Sequence, residues 1–269
     1  MPELPEVETI VRDIRPEVLG RTVVRAALSH TDVLRGVTRP VLLRGLAGTR
    51  VDELFRRAKH AVFVMGARRL VIQPGMTGSL VVHDRPLNED EARYAVLRAT
   101  LDDGRTLVYR DVRRLGTLLW LDARGWARYD TSIGPEPLAG EFTAAAMQAK
   151  VGRTRQSIKK ALMDQKLLAG VGNIYANEAL FAAGIDPSRE AVRLSAPEWT
   201  ALHRELVRIL SAAVSGRGST VRDYRTGTGA NTMQYANAEV DALLKESVGL
   251  VDREQRKKNY LKVQALFRN

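Results

Sequence analysis

The hydrophobic pattern of this chain changes from strand-like to helical near residue 130, and this change constrains the fold more than any other feature. Between residues 22 and 129, short runs of β-forming residues are separated by Gly, Pro and Asp turns, a pattern typical of strands. The tripeptide Asp102-Asp103-Gly104 has the composition of a hairpin turn. Because no helical pattern separates these runs, they predict an antiparallel sandwich or barrel. The predicted strands cover residues 61–65, 70–72, 80–82, 94–101 and 118–121.

Helical patterns precede and follow the strand-rich region. From Leu4 to Ile14, apolar residues recur every three or four positions, which predicts an amphipathic helix. Further along the chain, Ser195 and Glu198 form a capping-box pattern, which predicts the start of a helix that runs to about residue 214.

These changes of pattern divide the chain into parts. We predict an α+β protein with an N-terminal antiparallel β-sandwich, flanked by helices, over residues 1–130. The segment TSIGPEPLAG (131–140) contains two Pro and two Gly and predicts a linker. A helical domain follows over residues 141–232, and the four glycines between 216 and 229 predict a mobile loop within it. The helical pattern resumes in a tail over residues 233–269.

The charge of the chain favours a polyanionic partner. Lys and Arg number 42 against 31 Asp and Glu, so the formal net charge is +11. A generally basic surface is the alternative interpretation of this excess. The chain contains no Cys and only four His, which excludes disulfides and Cys-ligated metals and makes a His-based zinc site unexpected. We therefore expect no bound metal.

The N-terminus and the hydropathy pattern indicate the compartment. No stretch approaches the roughly 18 to 20 apolar residues of a membrane span. The opening MPELPEVE is acidic, whereas a secretory signal begins with basic residues and continues with an apolar run. We therefore expect a cytoplasmic protein.

Pro2 carries the most unusual potential chemistry in the chain. Removal of Met1 by an aminopeptidase would leave Pro2 with a free secondary amine, and the pKa of an α-amine is about 8, well below that of Lys. A neutral amine can attack an electrophilic sugar carbon and form a Schiff base, and Glu3 beside it is a candidate general acid or base. The alternative is that Pro2 only begins a helix and Glu3 only interacts with the helix dipole.

Five segments of the chain are long and distinctive. They are MPELPEVETIVRDIRP at the start, AKHAVFVM (58–65), QPGMTGSL (73–80), YRDVRRLGTL (109–118) and SIKKALMDQKLLAGVGNIYANEALF (157–181). In this order they resemble the formamidopyrimidine-DNA glycosylase (Fpg/Nei) family, and the IGPEPL linker at 133–138 also fits. The resemblance spans roughly residues 1–225. It implies a β-sandwich followed by a helix-two-turn-helix domain, with DNA in the cleft between them.

The resemblance implies catalytic roles for three residues. Pro2 would be the nucleophile that attacks C1′ of the damaged nucleotide, and Glu3 would be the partner acid. Lys59 would correspond to the family lysine that contacts the lesion phosphate and assists elimination. The alternative for Lys59 is a solvated side chain in a basic run with Arg56 and Arg57.

The resemblance also places three residues in the DNA duplex. Met76 and Arg113 would enter the gap left by the flipped base, since Met fills irregular gaps and Arg can bond the orphaned partner base. The third position is usually Phe in the family and is Leu115 here, an apolar wedge without aromatic stacking. The alternatives are a core Met and a surface Arg on a turn at a strand end.

Further DNA contacts are implied elsewhere in the chain. Asn173, after Gly170-Val171-Gly172, would contact the backbone at the lesion, although an Asn here could also cap a helix. Arg155 would neutralise a phosphate. Tyr94 occupies a position that is often His in the family, so we expect a weaker contact there. Residues 218–224 resemble the loop that closes over the flipped base, with an ordinary surface loop as the alternative.

The C-terminal tail departs from the family pattern. Most members end in a four-Cys zinc finger whose Arg contacts the lesion phosphates, and a chain without Cys cannot form that finger. We predict an atypical helical tail over residues 233–269 in its place; a segment of foreign sequence is the alternative. A basic helix face could substitute for the finger in part, although a solvated face explains the same residues. It contains Arg253, Arg256, Lys257 and Lys258.

Together these features predict a bifunctional DNA glycosylase and apurinic-site lyase of base excision repair. It would excise oxidised purines, 8-oxoguanine or formamidopyrimidine, through a Schiff base on Pro2. No cofactor is expected, because the nucleophile and the acid are both protein groups. We expect a monomer that acts on double-stranded DNA with oxidised bases or abasic sites and that binds no membrane. The alternative is a damaged-DNA-binding protein without catalysis, or an impaired glycosylase, because the finger is missing.

Overall fold

The computed structural model describes residues 2–218 of the chain. Within these residues, two four-stranded antiparallel sheets are followed by a helical region, which confirms the predicted α+β class. The first sheet has the order β1-β6-β7-β5, with β1 (Val23–Leu28), β5 (Gly78–His83), β6 (Ala95–Leu101) and β7 (Thr106–Asp111). The second has the order β2-β3-β4-β8, with β2 (Glu53–Arg57), β3 (His60–Met65), β4 (Arg68–Gln73) and β8 (Thr117–Asp122).

The two sheets share one hydrophobic core with the first helix, α1 (Leu4–Val18). The predicted amphipathic face of α1 is buried, with Val7, Val11 and Ile14 packed into this core. Burying a side chain of this size contributes about 1.5 to 3 kcal/mol each, so α1 is held to the sandwich by its apolar face. The predicted turn at Gly104 joins β6 to β7, and its φ of +86° suits a glycine.

Three short helices interrupt the strand-rich region, so the expectation of strands without intervening helices was wrong. They are α2 (Arg39–Leu46), α3 (Glu89–Arg93) and α4 (Ala123–Thr131). α3 buries no residue and begins where the Asn88 side chain accepts a hydrogen bond from the backbone N–H of Glu91 at 2.8 Å. α4 begins in the same way at Asp122. α3 and α4 have a polar cap and bury no residue, and α2 is only eight residues long and buries two leucines. Hydrophobic periodicity therefore did not predict these helices.

The helical region has its own core. Its helices are α5 (Ala144–Val151), α6 (Ile158–Met163), α7 (Asn173–Ala182) and α8 (Ala196–Ser215), with a 3-10 turn at Ala191–Arg193. α8 begins at the predicted capping box, where the backbone N–H of Ser195 donates to Glu198 Oε2 at 2.8 Å. The apolar face of α8 fills the centre of this core with Trp199, Leu202, Leu206 and Leu210.

Several predictions fall on the rest of the chain. The helical tail at 233–269, its basic face and all but the first residue of the 218–224 loop lie outside the described residues. The predicted linker follows α4, whose last residue is Thr131, and the domain boundaries themselves stay predictions. Within residues 2–218, no helix combines the length and hydropathy that crossing a bilayer requires.

Candidate active site

The carboxylate of Glu3 lies at the N-terminus of α7. The backbone N–H of Gly172 donates to Glu3 Oε2 at 2.7 Å, and that of Ile174 donates to Oε1 at 2.9 Å. Glu3 is only 1% exposed. The first amides of a helix have no partner within the helix and carry a partial positive charge. A side chain at the start of α1 therefore satisfies two amides of a distant helix.

The close approach of α1 to α7 depends on the Gly-Val-Gly segment. The backbone N–H of Leu4 donates to the carbonyl of Gly170 at 3.0 Å. Gly170 has a φ of +79°, and a Cβ there would lie 2.7 Å from Leu4 Cβ. Only glycine meets both conditions without strain. The segment thus lets the backbone before α7 contact the first turn of α1.

Lys59 joins Glu3 at the same place. It lies on the turn between β2 and β3, after Ala58 with a φ of +52°, and it is 5% exposed. A Cβ on Gly172 would lie 2.7 Å from Lys59 Nζ, so the ammonium group reaches the N-terminus of α7. The alternative of a solvated lysine is therefore wrong.

Burial shifts both ionisable groups toward neutrality. It raises the pKa of Glu3, and the hydrogen bond from Ile174 and the charge of Lys59 only partly oppose this effect. It lowers the pKa of Lys59 against the attraction of Glu3 and Glu6. Because the two shifts bring an acid and a base closer in proton affinity, a proton moves between such groups at less cost than in water. The pair is thus suited to acid–base catalysis.

Glu136 holds the turn that carries Lys59. Its carboxylate accepts from Arg56 Nη1 at 2.7 Å, from Arg57 Nη1 at 3.0 Å and from the backbone N–H of Ala58 at 2.6 Å. Burial pushes the pKa of Glu136 up, but Arg56 and the other donors outweigh it, so the pKa is lowered. Sequence reasoning assigned residues 131–140 to a linker and missed this role, because the partners lie 78 residues apart.

Glu6 is a second residue that sequence reasoning missed. Its Oε2 accepts from the backbone N–H of Glu3 at 2.9 Å, and its Oε1 accepts from the Tyr175 hydroxyl at 2.6 Å. The side chain is buried. The spacing Glu3-x-x-Glu6 could have indicated the first contact, since an acid three residues into a helix can bond back to the cap. No local signal indicates the contact with Tyr175 in α7.

Pro2 precedes this cluster directly and is buried. It lies one residue before Glu3, whose side chain and backbone N–H are both held as described above. The position of the Pro2 nitrogen is thus tied to a rigid segment. Its role as a nucleophile stays a prediction.

The structure brings together the residues expected to enter DNA. Met76 lies between β4 and β5, Arg113 lies between β7 and β8, and Arg113 Nη1 is 3.9 Å from Met76 Sδ. Met76 is 45% exposed and Leu115 is 49% exposed. The alternative of a core Met is therefore wrong. Met76 and Arg113 are in contact, and Leu115 is exposed two residues after Arg113 on the same loop.

The remaining predicted DNA contacts lie on different elements. Asn173 is exposed and is the first residue of α7, between the two amides that Glu3 accepts. Gly172 is the N-cap, so the alternative of an Asn cap is wrong. The Tyr94 ring lies against the guanidinium groups of Arg93 and Arg110, 5.3 and 5.2 Å from its centroid. Arg155 is exposed on the segment before α6.

Comparison with known proteins identifies the two domains of the chain. Residues 1–118 match the formamidopyrimidine-DNA glycosylase N-terminal domain, and residues 133–225 match the formamidopyrimidine-DNA glycosylase H2TH domain. The formamidopyrimidine-DNA glycosylase of Chloroflexus aurantiacus is 37% identical over 241 residues, which cover 89% of this chain and 86% of the relative.

Two solved structures illustrate the similarity of fold. The Lactococcus lactis formamidopyrimidine-DNA glycosylase, bound non-covalently to DNA with an abasic site, has a TM-score of 0.74 at 29% identity. The match covers 82% of this chain and 85% of that one. The MutM (Fpg) protein of Thermus thermophilus has a TM-score of 0.70 at 35% identity and covers 81% of this chain and 77% of its own.

A β-sandwich followed by an H2TH domain, with a buried acid next to Pro2 in the chain and a buried lysine near that acid, defines a DNA glycosylase of base excision repair. Within that class, the chain belongs to the formamidopyrimidine-DNA glycosylase family. The resemblance seen in the five sequence segments is thereby confirmed. Within residues 2–218, no group of three or more His, Asp or Glu side chains is arranged to hold a metal ion.

Proposed function

We propose that this enzyme is a bifunctional glycosylase and apurinic-site lyase that excises oxidised purines through a Schiff base on Pro2. The observation that carries the proposal is the arrangement of Glu3 and Lys59 at the N-terminus of α7, directly beside Pro2. The proposed nucleophile and acid are consecutive residues before α1, the cation lies on the turn between β2 and β3, and the acid is hydrogen-bonded to the N-terminus of α7. That is the set of groups needed to displace a base and open a sugar.

The chemistry follows from these groups. The neutral Pro2 amine attacks C1′, the glycosidic bond breaks, and its electron pair leaves with the base, which takes up the proton that the Pro2 nitrogen loses on forming the new bond. Glu3, whose pKa is raised by burial, gives a proton to the ring oxygen as the sugar opens, and an iminium ion forms between Pro2 and C1′. Loss of a proton from C2′ then expels the 3′ phosphate. Water finally hydrolyses the iminium and releases Pro2.

The DNA contacts support the same reaction. Met76 and Arg113 are in contact and Leu115 is exposed on the same loop as Arg113, which suits insertion into the gap that a flipped base leaves. Asn173, Arg155 and Tyr94 are proposed to bind the DNA backbone. The Lactococcus lactis relative has been solved with DNA containing an abasic site and with DNA containing Fapy-dG, and we propose the same substrates here.

The proposal extends to the organisation of the whole enzyme. We propose a monomer with a catalytic sandwich at 1–130, a linker at 131–140 and a DNA-binding helical domain at 141–232. The tail at 233–269 takes the place of the zinc finger. We also propose that the enzyme acts in the cytoplasm on double-stranded DNA.

Borohydride trapping tests the proposal. The full-length protein is incubated with a duplex that carries one 8-oxoguanine opposite cytosine, with sodium borohydride present to reduce the iminium to a stable bond. Two variants run in parallel: Pro2→Gly, and a chain extended by one residue before Pro2, in which the Pro2 nitrogen is an amide. Because an amide nitrogen is not nucleophilic, we expect an adduct with the unmodified chain and none with the extended one.

The other outcomes each have a meaning. Retained binding to damaged DNA without any adduct would establish a binding protein in place of a glycosylase. An adduct that persists in the extended chain would assign the nucleophile to another amine, such as Lys59. Parallel duplexes with formamidopyrimidine and with an oxidised pyrimidine define the substrate preference.

A further inference from the structure

Two loops carry the exposed side chains expected to enter DNA. The Met76 loop, residues 74–77, connects β4 to β5, and the Arg113 loop, residues 112–116, connects β7 to β8. Neither loop contains a helix or a strand. Exposed side chains on such loops normally lose conformational freedom when they bind. The backbones of these two loops, however, are fixed by one buried carboxylate.

That carboxylate belongs to Asp111, the last residue of β7, which is 1% exposed. Its Oδ1 accepts from the Thr77 hydroxyl at 2.6 Å, in the Met76 loop. Its Oδ2 accepts from the backbone N–H of Gly116 at 2.9 Å, in the Arg113 loop. The buried Tyr109 hydroxyl donates to the same Oδ2 at 3.0 Å. One side chain thus bonds to both loops and to the strand beneath them.

The Thr77 hydroxyl completes the connection between the loops. While it donates to Asp111, its oxygen accepts from the backbone N–H of Arg113 at 3.0 Å. The chain of bonds therefore runs from the carboxylate through one loop to the residue that carries the exposed guanidinium group. That group in turn lies 3.9 Å from Met76 Sδ.

Close packing of glycines reinforces these bonds. A Cβ on Gly116 would lie 2.0 Å from the Tyr109 hydroxyl oxygen and 2.4 Å from the carbonyl oxygen of Gln73. A Cβ on Gly75 would lie 2.6 Å from the backbone nitrogen of Gly116. The two loops are therefore in direct backbone contact, which leaves little room for either to move alone.

We propose that Asp111 is a positioning residue for base extrusion, which holds the Met76 loop and the Arg113 loop as one rigid wedge before DNA binds. The inference rests on the proposed glycosylase function. Because Asp111 is buried beneath the loops, it acts through the wedge and not on the reacting atoms. A wedge that is already ordered enters the stack without a further loss of loop entropy. Loss of the Asp111 carboxylate should therefore slow the extrusion of a paired base more than it slows the chemical step at C1′.

Three substitutions separate this role from a general defect. Asp111→Asn keeps the shape, but the amide nitrogen cannot accept a hydrogen bond from Gly116. Thr77→Val is nearly isosteric and removes the hydroxyl that links Asp111 to Arg113. Thr77→Ser keeps that hydroxyl and is the matched control. Thermal unfolding of each full-length variant shows whether it folds, and Thr77→Val decides the test if Asp111→Asn does not.

Two duplexes of the same sequence provide the readout. One contains 8-oxoguanine paired with cytosine, and the other contains an abasic site at that position, where no base has to be extruded. We expect Asp111→Asn and Thr77→Val to slow single-turnover excision of the paired lesion about tenfold while changing trapping at the abasic site less than about twofold. Thr77→Ser should match the unmodified enzyme on both duplexes. A 2-aminopurine beside the lesion reports extrusion directly by its fluorescence.

Equal slowing on both duplexes, or no slowing on either, would overturn the positioning role of Asp111. Failure of the proposed function has a different signature, because the unmodified enzyme would then form no adduct with the abasic site. In that case the 2-aminopurine signal still decides the inference, since it measures extrusion without chemistry. An unchanged rate of fluorescence increase in Thr77→Val would contradict it.

Discussion

Glu3 and Gly172 lie so close together that no side chain fits opposite the carboxylate. A Cβ at position 172 would stand 2.4 Å from Glu3 Cδ and 2.5 Å from Oε1. The two residues are 169 positions apart in the chain, one at the start of α1 and the other at the start of α7. The Glu3 carboxylate is therefore one of the buried contacts that join α1 of the sandwich region to α7 of the helical region.

Gly172→Ala should disable the site. The added methyl group would displace both the Glu3 carboxylate and Lys59 Nζ, and misplacement of catalytic groups by such distances is costly. We expect the trapping rate to fall at least about tenfold, or about 1.4 kcal/mol. Gly140→Ala is the matched control, because no atom lies within 4 Å of a Cβ at that position. Single-turnover trapping measures both, and equal rates for the two variants would contradict the prediction.

The effects of removing Glu3 and Lys59 on the free energy of unfolding should depend on each other. Lys59→Met leaves a buried carboxylate without its cation and should lower the free energy of unfolding by about 3 kcal/mol. Adding Glu3→Gln removes the isolated charge and should recover at least about 1 kcal/mol of that loss. Urea unfolding of the single and double variants at neutral pH gives a double-mutant cycle, which measures the interaction energy of the two groups. Strictly additive losses would show that the two groups do not interact.

The raised pKa of Glu3 predicts a pH-dependent stability. The folded chain holds this proton more tightly than the unfolded chain, so Glu3 reduces stability as pH rises from the ordinary pKa of 4.5 through the raised pKa. Glu3→Gln removes this dependence. The Tm of the variant relative to the unmodified protein should therefore increase as pH rises through this window. A relative Tm that falls instead would reverse the assigned direction of the shift.

Glu136→Gln should loosen the turn that carries Lys59. Arg56 and Arg57 would lose the negatively charged carboxylate to which both donate. We expect a loss of about 3 kcal/mol in the free energy of unfolding at neutral pH. Because the pKa of Glu136 is lowered, this contribution is present above 4.5 and disappears as pH falls through the folded value. Glu141→Gln changes the same chemical group at an exposed position and should shift stability by less than about 0.5 kcal/mol. Urea unfolding across pH tests both.

Arg155→Ala should change how salt affects DNA binding. If Arg155 neutralises one phosphate, its loss should weaken binding evenly across sequences and reduce the slope of log affinity against log salt by about 1. Arg68→Ala is the control, since Arg68 is exposed on β4 and lies outside the segments that resemble the family. Fluorescence anisotropy with a labelled duplex gives both slopes. The prediction fails if the two variants have the same slope.

The sequence predicted those elements whose signal is local. α1 and α8 each bury one apolar face and begin at residues that cap helices, so periodicity and capping chemistry were sufficient to locate them. α3 buries no residue, and α2 buries only two. α2 packs against β1 and α3 is held by its Asn88 cap. Helices this short contain little periodic signal of their own.

The sequence by itself determined the order of sandwich and helical region, the family and the candidate nucleophile, because these depend on residue types and spacing along the chain. Only the tertiary structure decided how the site is held. Glu136 bonds to the turn before Lys59, Glu6 bonds to Tyr175, and Asp111 bonds to two separate loops. The sequence around a carboxylate does not indicate which distant donor will form a hydrogen bond with it. Its partners are set only when the strands and helices pack and bring distant segments to within hydrogen-bond distance.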